Sequence, residues 1–188
     1  LVVCDVGQGD AIYIKTPSGK DILIDGGPND AVLNCLVNNM PFWDRTIDLL
    51  ILTHPDADHV TGLVDVLERY TVLHFVTSET TKSTGIYKRF LQALKDQNLP
   101  LKYTYSKDKI DFGDGVVSNI IWPSLDFVNS SKPIKESEVN EFSLIQVISF
   151  GQFRALLTGD AGVMVQDRIA KDAGNIDILK VPHHGSKT

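Results

Sequence analysis

The sequence predicts a mixed α+β fold, with two groups of short strands and helices outside them. Three observations predict it. Apolar runs of strand length recur along the chain, each bounded by glycine, proline or other turn residues. Stretches with apolar residues at helical spacing lie between them. There is no internal repeat, long linker or low-complexity tract. With 188 residues, 43% of them hydrophobic, the chain suits a single globular domain over 1–188 with a sizeable core.

The chain opens with "LVVCDV", "AIYIK" and "DILIDGG", separated by the turns "GQGD" and "TPSGK"; each run has the length and character of a strand. Residues 30–40 read as a helix. The run 48–53 is continuously apolar over strand length, which predicts a strand buried on both faces. "TGLVDVLERY" follows as a helix. "VLHFVT" is a further strand, with His74 inside it as an ordinary core or surface histidine. In 84–97, Tyr87, Phe90, Leu91 and Leu94 stand at i, i+3, i+4 and i+7, which predicts an amphipathic helix stopped by Asn98 and Pro100. "VVSNIIW", "SLIQVISF" and "FRALLTGD" read as strands, the last two joined by a tight "GQ" turn. "NSSKPIKESE" (129–138) is expected to be a mobile surface loop. A helix over 161–173 and the strand "IDILKV" close the pattern.

The formal net charge is −6, which argues against a generic basic grip on nucleic acid, because phosphate binding normally uses clustered Lys and Arg. Bound divalent ions would reverse that balance locally. No apolar run reaches the ~18–20 residues that a membrane-spanning helix needs. The chain starts at Leu1 in a strand-like run, with no initiator Met or signal peptide, and is read as part of a longer protein. Cys4 falls in a strand and Cys35 in a helical stretch. They are expected to be small buried hydrophobes rather than a metal or redox pair, which leaves the redox compartment open.

The chemistry gathers at strand ends. "THPDADH" (53–59) follows the apolar run 48–53, and in it His54, Asp56, Asp58 and His59 leave one short turn. A strand end is where a rigid sheet can aim metal ligands. The alternation of His54, Asp56 and Asp58 lets three side chains point one way while His59 starts the next helix, enough to feed two metals. The competing reading is an Asp-rich helix N-terminus in which Asp58 caps. "LLTGDAG" puts Asp160 after a strand and before a helix, as cap or ligand. "ILKVPHHGS" puts His183 and His184 after the next strand. Agreement among three such endings is far more specific than any one of them. Gly7, Gly9, Gly26 and Gly27 permit close backbone approach. Asp25 can orient a metal ligand, with Gln8 and Asp10 in similar roles; otherwise these are turn residues. Lys187 is a solvated lysine or a phosphate contact.

The order "HxDxDH", "TGD", "HHGS" resembles the metallo-β-lactamase superfamily, whose usual first motif is HxHxDH. More narrowly, "DVGQGDA", "ILIDGG", "LTHPDADH", "NEFSL", "LLTGD" and "LKVPHHGSKT" resemble the hydrolase domain of the ComEC competence proteins, through nearly the whole chain. The resemblance implies an αββα four-layer sandwich, truncated here in its C-terminal part, with a dinuclear site at one edge of the sheets. It assigns His54 and Asp56 to the first metal, Asp56 standing where most relatives have His. Asp58 and His59 would bind the second, Asp160 would bridge, and His183 would be the last ligand. His184 is then a neighbouring proton donor, with the order of the two histidines open to reversal. Asp58 and His184 are the residues expected to carry catalysis, and Lys187 to meet substrate. Where many relatives offer a further His, "NEFSL" offers Asn140, which is otherwise a turn residue; Asn140 and Asp25 are orienting groups or additional ligands. Asn and Asp are harder donors than imidazole, so the first site should lean toward Mn²⁺ or Mg²⁺ rather than Zn²⁺.

Two divalent ions lower the pKa of bound water and stabilise a developing oxyanion, so no side chain has to act as nucleophile. The implied function is a phosphodiesterase acting on DNA, with single-stranded DNA as substrate, in competence-type uptake. The implied setting is an extracytoplasmic domain whose parent chain carries membrane channel segments. The alternatives are a stand-alone, cytoplasmic hydrolase of a small ester, thioester or lactam, and a degenerate domain that binds metal without turnover.

Overall fold

A computed structural model describes residues 1–186. The chain adopts the expected α+β class and forms two compact units, Leu1–Thr77 with Lys82–Lys102, and Ser78–Thr81 with Tyr103 onward. Among the described residues no helix is long and apolar enough to cross a membrane.

The first unit holds β1 (Val2–Val3), β2 (Ile12–Lys15), β3 (Asp21–Ile24), α1 (Ala31–Asn39), β4 (Thr46–Ile47), β5 (Leu49–Leu52), α2 (Ala57–Arg69), β6 (Thr71–Val72), β7 (Phe75–Thr77) and α3 (Gly85–Asp96). Five of the strands form one sheet in the order β1-β2-β3-β5-β7, and β4 pairs with β6. Strands β3, β5 and β7 are parallel. Parallel neighbours need crossovers, which α1 and α2 supply. The sheet buries Leu23, Leu50 and Leu52 against Leu36 of α1, Leu63 and Leu67 of α2 and Phe90 of α3. Each such side chain contributes about 1.5–3 kcal/mol by burial. On α3 the expected apolar face is the buried one, Tyr87, Phe90 and Leu94, and the Thr84 hydroxyl caps the helix by accepting the Tyr87 N–H.

Helix α2 starts at Ala57, earlier than its apolar pattern suggests, because Asp56 already takes the N-cap position in extended geometry. His74 is exposed in the gap between β6 and β7 rather than inside a strand, and its carbonyl accepts the Leu50 N–H at 2.9 Å. The cysteines depart from expectation more sharply. Cys4 and Cys35 form a disulfide, with Cα atoms 5.6 Å apart, which ties the residue after β1 to α1. The sequence held no spacing motif to announce it; the sheet order brings the two together. Closing a loop of sequence separation 31 stabilises the fold by about 3–4 kcal/mol through the unfolded chain.

The second unit holds β8 (Lys109–Asp111), β9 (Val116–Trp122), α4 (Leu125–Ser130), a 3-10 helix over Glu136–Phe142, β10 (Ile145–Phe150), β11 (Phe153–Leu157), α5 (Val163–Ala173), β12 (Ile178–Leu179) and a 3-10 turn over Pro182–Gly185. The sheet order is β12-β11-β10-β9-β8. Strands β8 to β11 are antiparallel, whereas β11 and β12 are parallel with α5 as the crossover. On α5, Val165, Ile169 and Ala173 share one face and pack on Trp122, Ile145, Val147 and Leu156. The segment 129–138 is not the open loop its polarity suggested. Ser124 caps α4, whose last turn takes in residues 129 and 130, and the 3-10 helix begins at Glu136. Residues 131–135 between the two helices remain an irregular surface segment, so the expected loop is shorter than the polar stretch. "IDILKV" contributes only two paired residues.

Candidate metal centre

The parallel strands of the first unit run toward one edge, and the residues that follow them carry the donors, as expected outside the carboxyl ends of parallel strands. Asp25 follows β3, while Thr53 and His54 follow β5. Asp25 is 1% exposed and adopts a left-handed φ of 58°, a conformation that Asp tolerates better than most residues. Its Oδ1 accepts the Thr53 N–H at 2.8 Å and its Oδ2 accepts the Thr53 hydroxyl at 2.7 Å. The same Oδ2 lies 2.8 Å from His59 Nδ1. Because the Thr53 hydroxyl donates to Asp25, its oxygen accepts from His54 Nδ1 at 3.0 Å. As the terminal acceptor, one buried carboxylate therefore keeps the ring proton of both imidazoles on Nδ1 and leaves each Nε2 a lone pair. The two rings lie 4.2 Å apart between centroids. Both histidines are fully buried.

The turn preceding β2 and the turn following β3 hold this arrangement by backbone. Asp10 N–H reaches the Asp58 carbonyl at 3.3 Å, and Gly26 N–H reaches the His59 carbonyl at 2.8 Å. Gly9 has φ 123°, and a Cβ there would fall inside contact distance of the Asp58 carbonyl, so the glycine is required by that approach. Asp10, Asp25 and His59 each bring a ligand atom within 4.8 Å of the others. Asp58 lies in the first turn of α2 and is half-buried. Asp56 takes the N-cap but makes no side-chain capping bond. Its Oδ2 lies 3.9 Å from His54 Nε2, and its Oδ1 is ion-paired with Lys82. Two atoms each bound to one ion at about 2.1 Å lie no more than about 4.2 Å apart, so His54 and Asp56 are within reach of a common cation.

In the second unit the parallel pairing of β11 and β12 sends Asp160 and the two histidines out at the same end of the sheet. Asp160 is 2% exposed. It does not cap α5, whose N-cap is Gly162. Its backbone N–H donates to Ser143 Oγ at 3.2 Å. Lys180 Nζ donates to the Gly159 carbonyl at 2.8 Å and lies 3.4 Å from Asp160 Oδ1. His184 Nε2 stands 3.3 Å from Asp160 Oδ2, and His183 Nε2 stands 3.9 Å from it. His183 and His184 both have left-handed backbone, at φ 47° and 51°, which costs roughly 1–2 kcal/mol each and is the kind of strain that collects at functional sites. At the start of α5 Glu141 packs against Gly162, and burial pushes its carboxyl above the ordinary range against the pull of Arg168.

A family model described as the metallo-beta-lactamase superfamily matches residues 4–126. The chain belongs to the metallo-β-lactamase superfamily. It is 29% identical to Recombination protein 2 of Haemophilus influenzae over 98% of its own length and 21% of that protein. It is 27% identical to ComE operon protein 3 of Bacillus subtilis, over 97% of its length and 25% of that protein. The chain thus spans a fifth to a quarter of the curated relatives it matches. Among solved structures, the metallo-β-lactamase fold protein YhfI of Bacillus subtilis superposes with a TM-score of 0.61 at 14% identity, over 94% of this chain and 69% of that one.

Metal-dependent hydrolysis is the usual activity of metallo-β-lactamase folds, and the donors fit divalent ions: imidazole nitrogens and carboxylate oxygens, with no thiolate among them. Within the first unit the structure brings together His54, Asp56, His59 and Asp25; within the second it brings together Asp160, His183 and His184. Asn140 lies on the 3-10 helix, where its carbonyl accepts the Ser143 N–H at 3.0 Å. Gln8 is exposed on its turn. Lys187 lies outside the described residues. Sequence reasoning missed Thr53, Ser143, Lys180 and Lys82. Thr53, Ser143 and Lys180 sit inside the motifs "LTHPDADH", "NEFSL" and "LKVPHHGSKT" that carried the superfamily resemblance, so a signal existed. Lys82 had none.

Proposed function

We propose that this domain is a divalent-metal-dependent phosphodiesterase that cuts single-stranded DNA in competence-type uptake. The observation that carries the metal chemistry is the single buried carboxylate, Asp25, that fixes His59 directly and His54 through Thr53. Such hydrogen bonds to the remote ring nitrogen accompany metal-ligating histidines and raise their basicity. The substrate follows from the likeness to ComE operon protein 3 and the competence-protein motifs.

Within the first unit His54, Asp56, Asp58 and His59 would serve as ligands, and within the second Asp160 with His184. The closer approach of His184 to Asp160 supports the reversed histidine order, with His183 as the neighbouring proton donor. Divalent ions, held by these residues, would supply a water nucleophile at neutral pH and would neutralise charge on the phosphoryl oxygens. The protein's part is to keep the ring protons of both imidazoles on Nδ1, to set Asp160 beside the Lys180 ammonium, and to fix the Asp160 backbone through Ser143. The oxygen-rich set at Asp56 and Asp160 favours Mn²⁺ over Zn²⁺. Chelator-stripped protein should therefore degrade labelled single-stranded DNA when Mn²⁺ is returned, with less activity in equimolar Zn²⁺. Turnover of a chromogenic ester with no cut DNA would point instead to the small-substrate hydrolase. Metal-loaded protein inert on both would point to a binding domain.

We also propose an extracytoplasmic location, which the Cys4–Cys35 disulfide supports, since such bonds persist in oxidising compartments and are rare in the cytosol. Thiol labelling of protein taken rapidly from its native cells should modify neither cysteine until a reductant is added. Two reactive thiols before reduction would contradict it.

A further inference from the structure

Asp56 is an N-cap residue whose side chain does not cap. Its Oδ1 is ion-paired with the Lys82 ammonium, while Oδ2 lies 3.9 Å from His54 Nε2. The pair is substantially shielded, with the Lys82 side chain 20% exposed and that of Asp56 25% exposed. All three residues belong to the first unit. Asp56 also stands where the HxHxDH pattern has histidine. The exchange has an electrostatic consequence: a carboxylate attracts an ammonium, whereas a neutral imidazole does not.

We propose that Lys82 is the built-in competitor for the first metal position. Its ammonium already neutralises Asp56 through Oδ1, so a divalent ion bound at Oδ2 beside His54 must compete for the charge of one carboxylate. The inference rests on the reading of His54 and Asp56 as metal ligands. An ammonium and a divalent ion in contact with one carboxylate repel each other in a partly shielded site, so each weakens the other's hold on Asp56. Lysine suits the role because it is a compact charge on a flexible four-carbon stem and can move away without unfolding anything. The two metal positions must then differ in affinity, and the difference is set by a residue outside every ligand motif.

The test titrates Mn²⁺ into the chelator-stripped full chain by calorimetry, for wild type, Lys82→Met and Lys82→Arg. Wild type should take up one ion tightly and a second at least tenfold more weakly. Lys82→Met should tighten the weaker event at least tenfold and leave the tighter one within threefold. Lys82→Arg, which keeps the cation, should stay close to wild type. If Lys82→Met does not fold, Lys82→Gln carries the same expectation. Two events of equal affinity in wild type, or a weaker event unmoved by removing the ammonium, would overturn the role of Lys82 alone. No saturable uptake by any of the proteins would remove the ligand reading beneath it.

Discussion

Replacing Asp160 with Asn should lower hydrolysis roughly a thousandfold or more, about 4 kcal/mol in the barrier, while leaving the protein folded. Asp160 is almost fully buried, and as the ligand proposed above its negative charge would offset that of bound cations. Asparagine has the same size and no charge. The capping account of this residue falls on geometry, because α5 is capped at Gly162 and not at Asp160. The substitution is not silent without metal, however. Lys180 loses its carboxylate partner and keeps the Gly159 carbonyl, so metal-free stability should fall by roughly 1–3 kcal/mol. The stabilisation that added Mn²⁺ gives the wild type, which follows mass action on the native state, should nearly vanish. His184→Ala should share that loss, whereas His183→Ala should retain metal-dependent stabilisation and lose mainly turnover. Melting temperatures with and without Mn²⁺, beside DNA cleavage rates, decide between these outcomes. Wild-type activity in Asp160→Asn would exclude a metal role for the residue.

Asp25→Asn should weaken metal affinity ten- to a hundredfold, the usual cost of losing the group that orients a ligating histidine. Asn tolerates the left-handed backbone at this position about as well as Asp, so the change tests the charge and not the turn. The carboxylate accepts from Thr53 N–H, the Thr53 hydroxyl and His59 Nδ1; an amide offers one oxygen and turns a donor toward the others. Two consequences follow together. The His59 and His54 tautomers are no longer enforced, and a buried donor is left unmatched, at about 1–3 kcal/mol. Raising Mn²⁺ should recover a large part of the lost activity, which separates this effect from that of Asp160→Asn, where it should recover little. Unchanged Mn²⁺ affinity in Asp25→Asn would show that the histidine orientation does not depend on Asp25.

The contrast among these residues shows what was legible in the sequence. Strand β5 and the helix over 85–96 were readable because burial imposes a period on the residues themselves: Leu49–Leu52 are buried throughout, and Tyr87, Phe90 and Leu94 repeat on one helix face. The three polar strand endings were readable for the same reason, as polar residues placed where an apolar strand stops. What was not readable depends on partners distant in sequence. The Cys4–Cys35 bond and the Lys82–Asp56 pair each join segments that only the sheet order and the crossovers bring together. The order of His183 and His184 was open because neighbouring residues share the same motif, and only the folded distances to Asp160, 3.3 Å from His184 and 3.9 Å from His183, separate them. The polarity of 129–138 marked the loop at 131–135 but not its ends, because short capped helices and loops share a composition.

Calorimetric titration of Mn²⁺ into chelator-stripped wild type and Asp160→Asn tests most directly whether these strand ends are ligands for divalent ions. Saturable uptake by the wild type, weakened at least a hundredfold or abolished in Asp160→Asn, is the predicted result. No saturable uptake by the wild type, or identical isotherms for the two proteins, would contradict it.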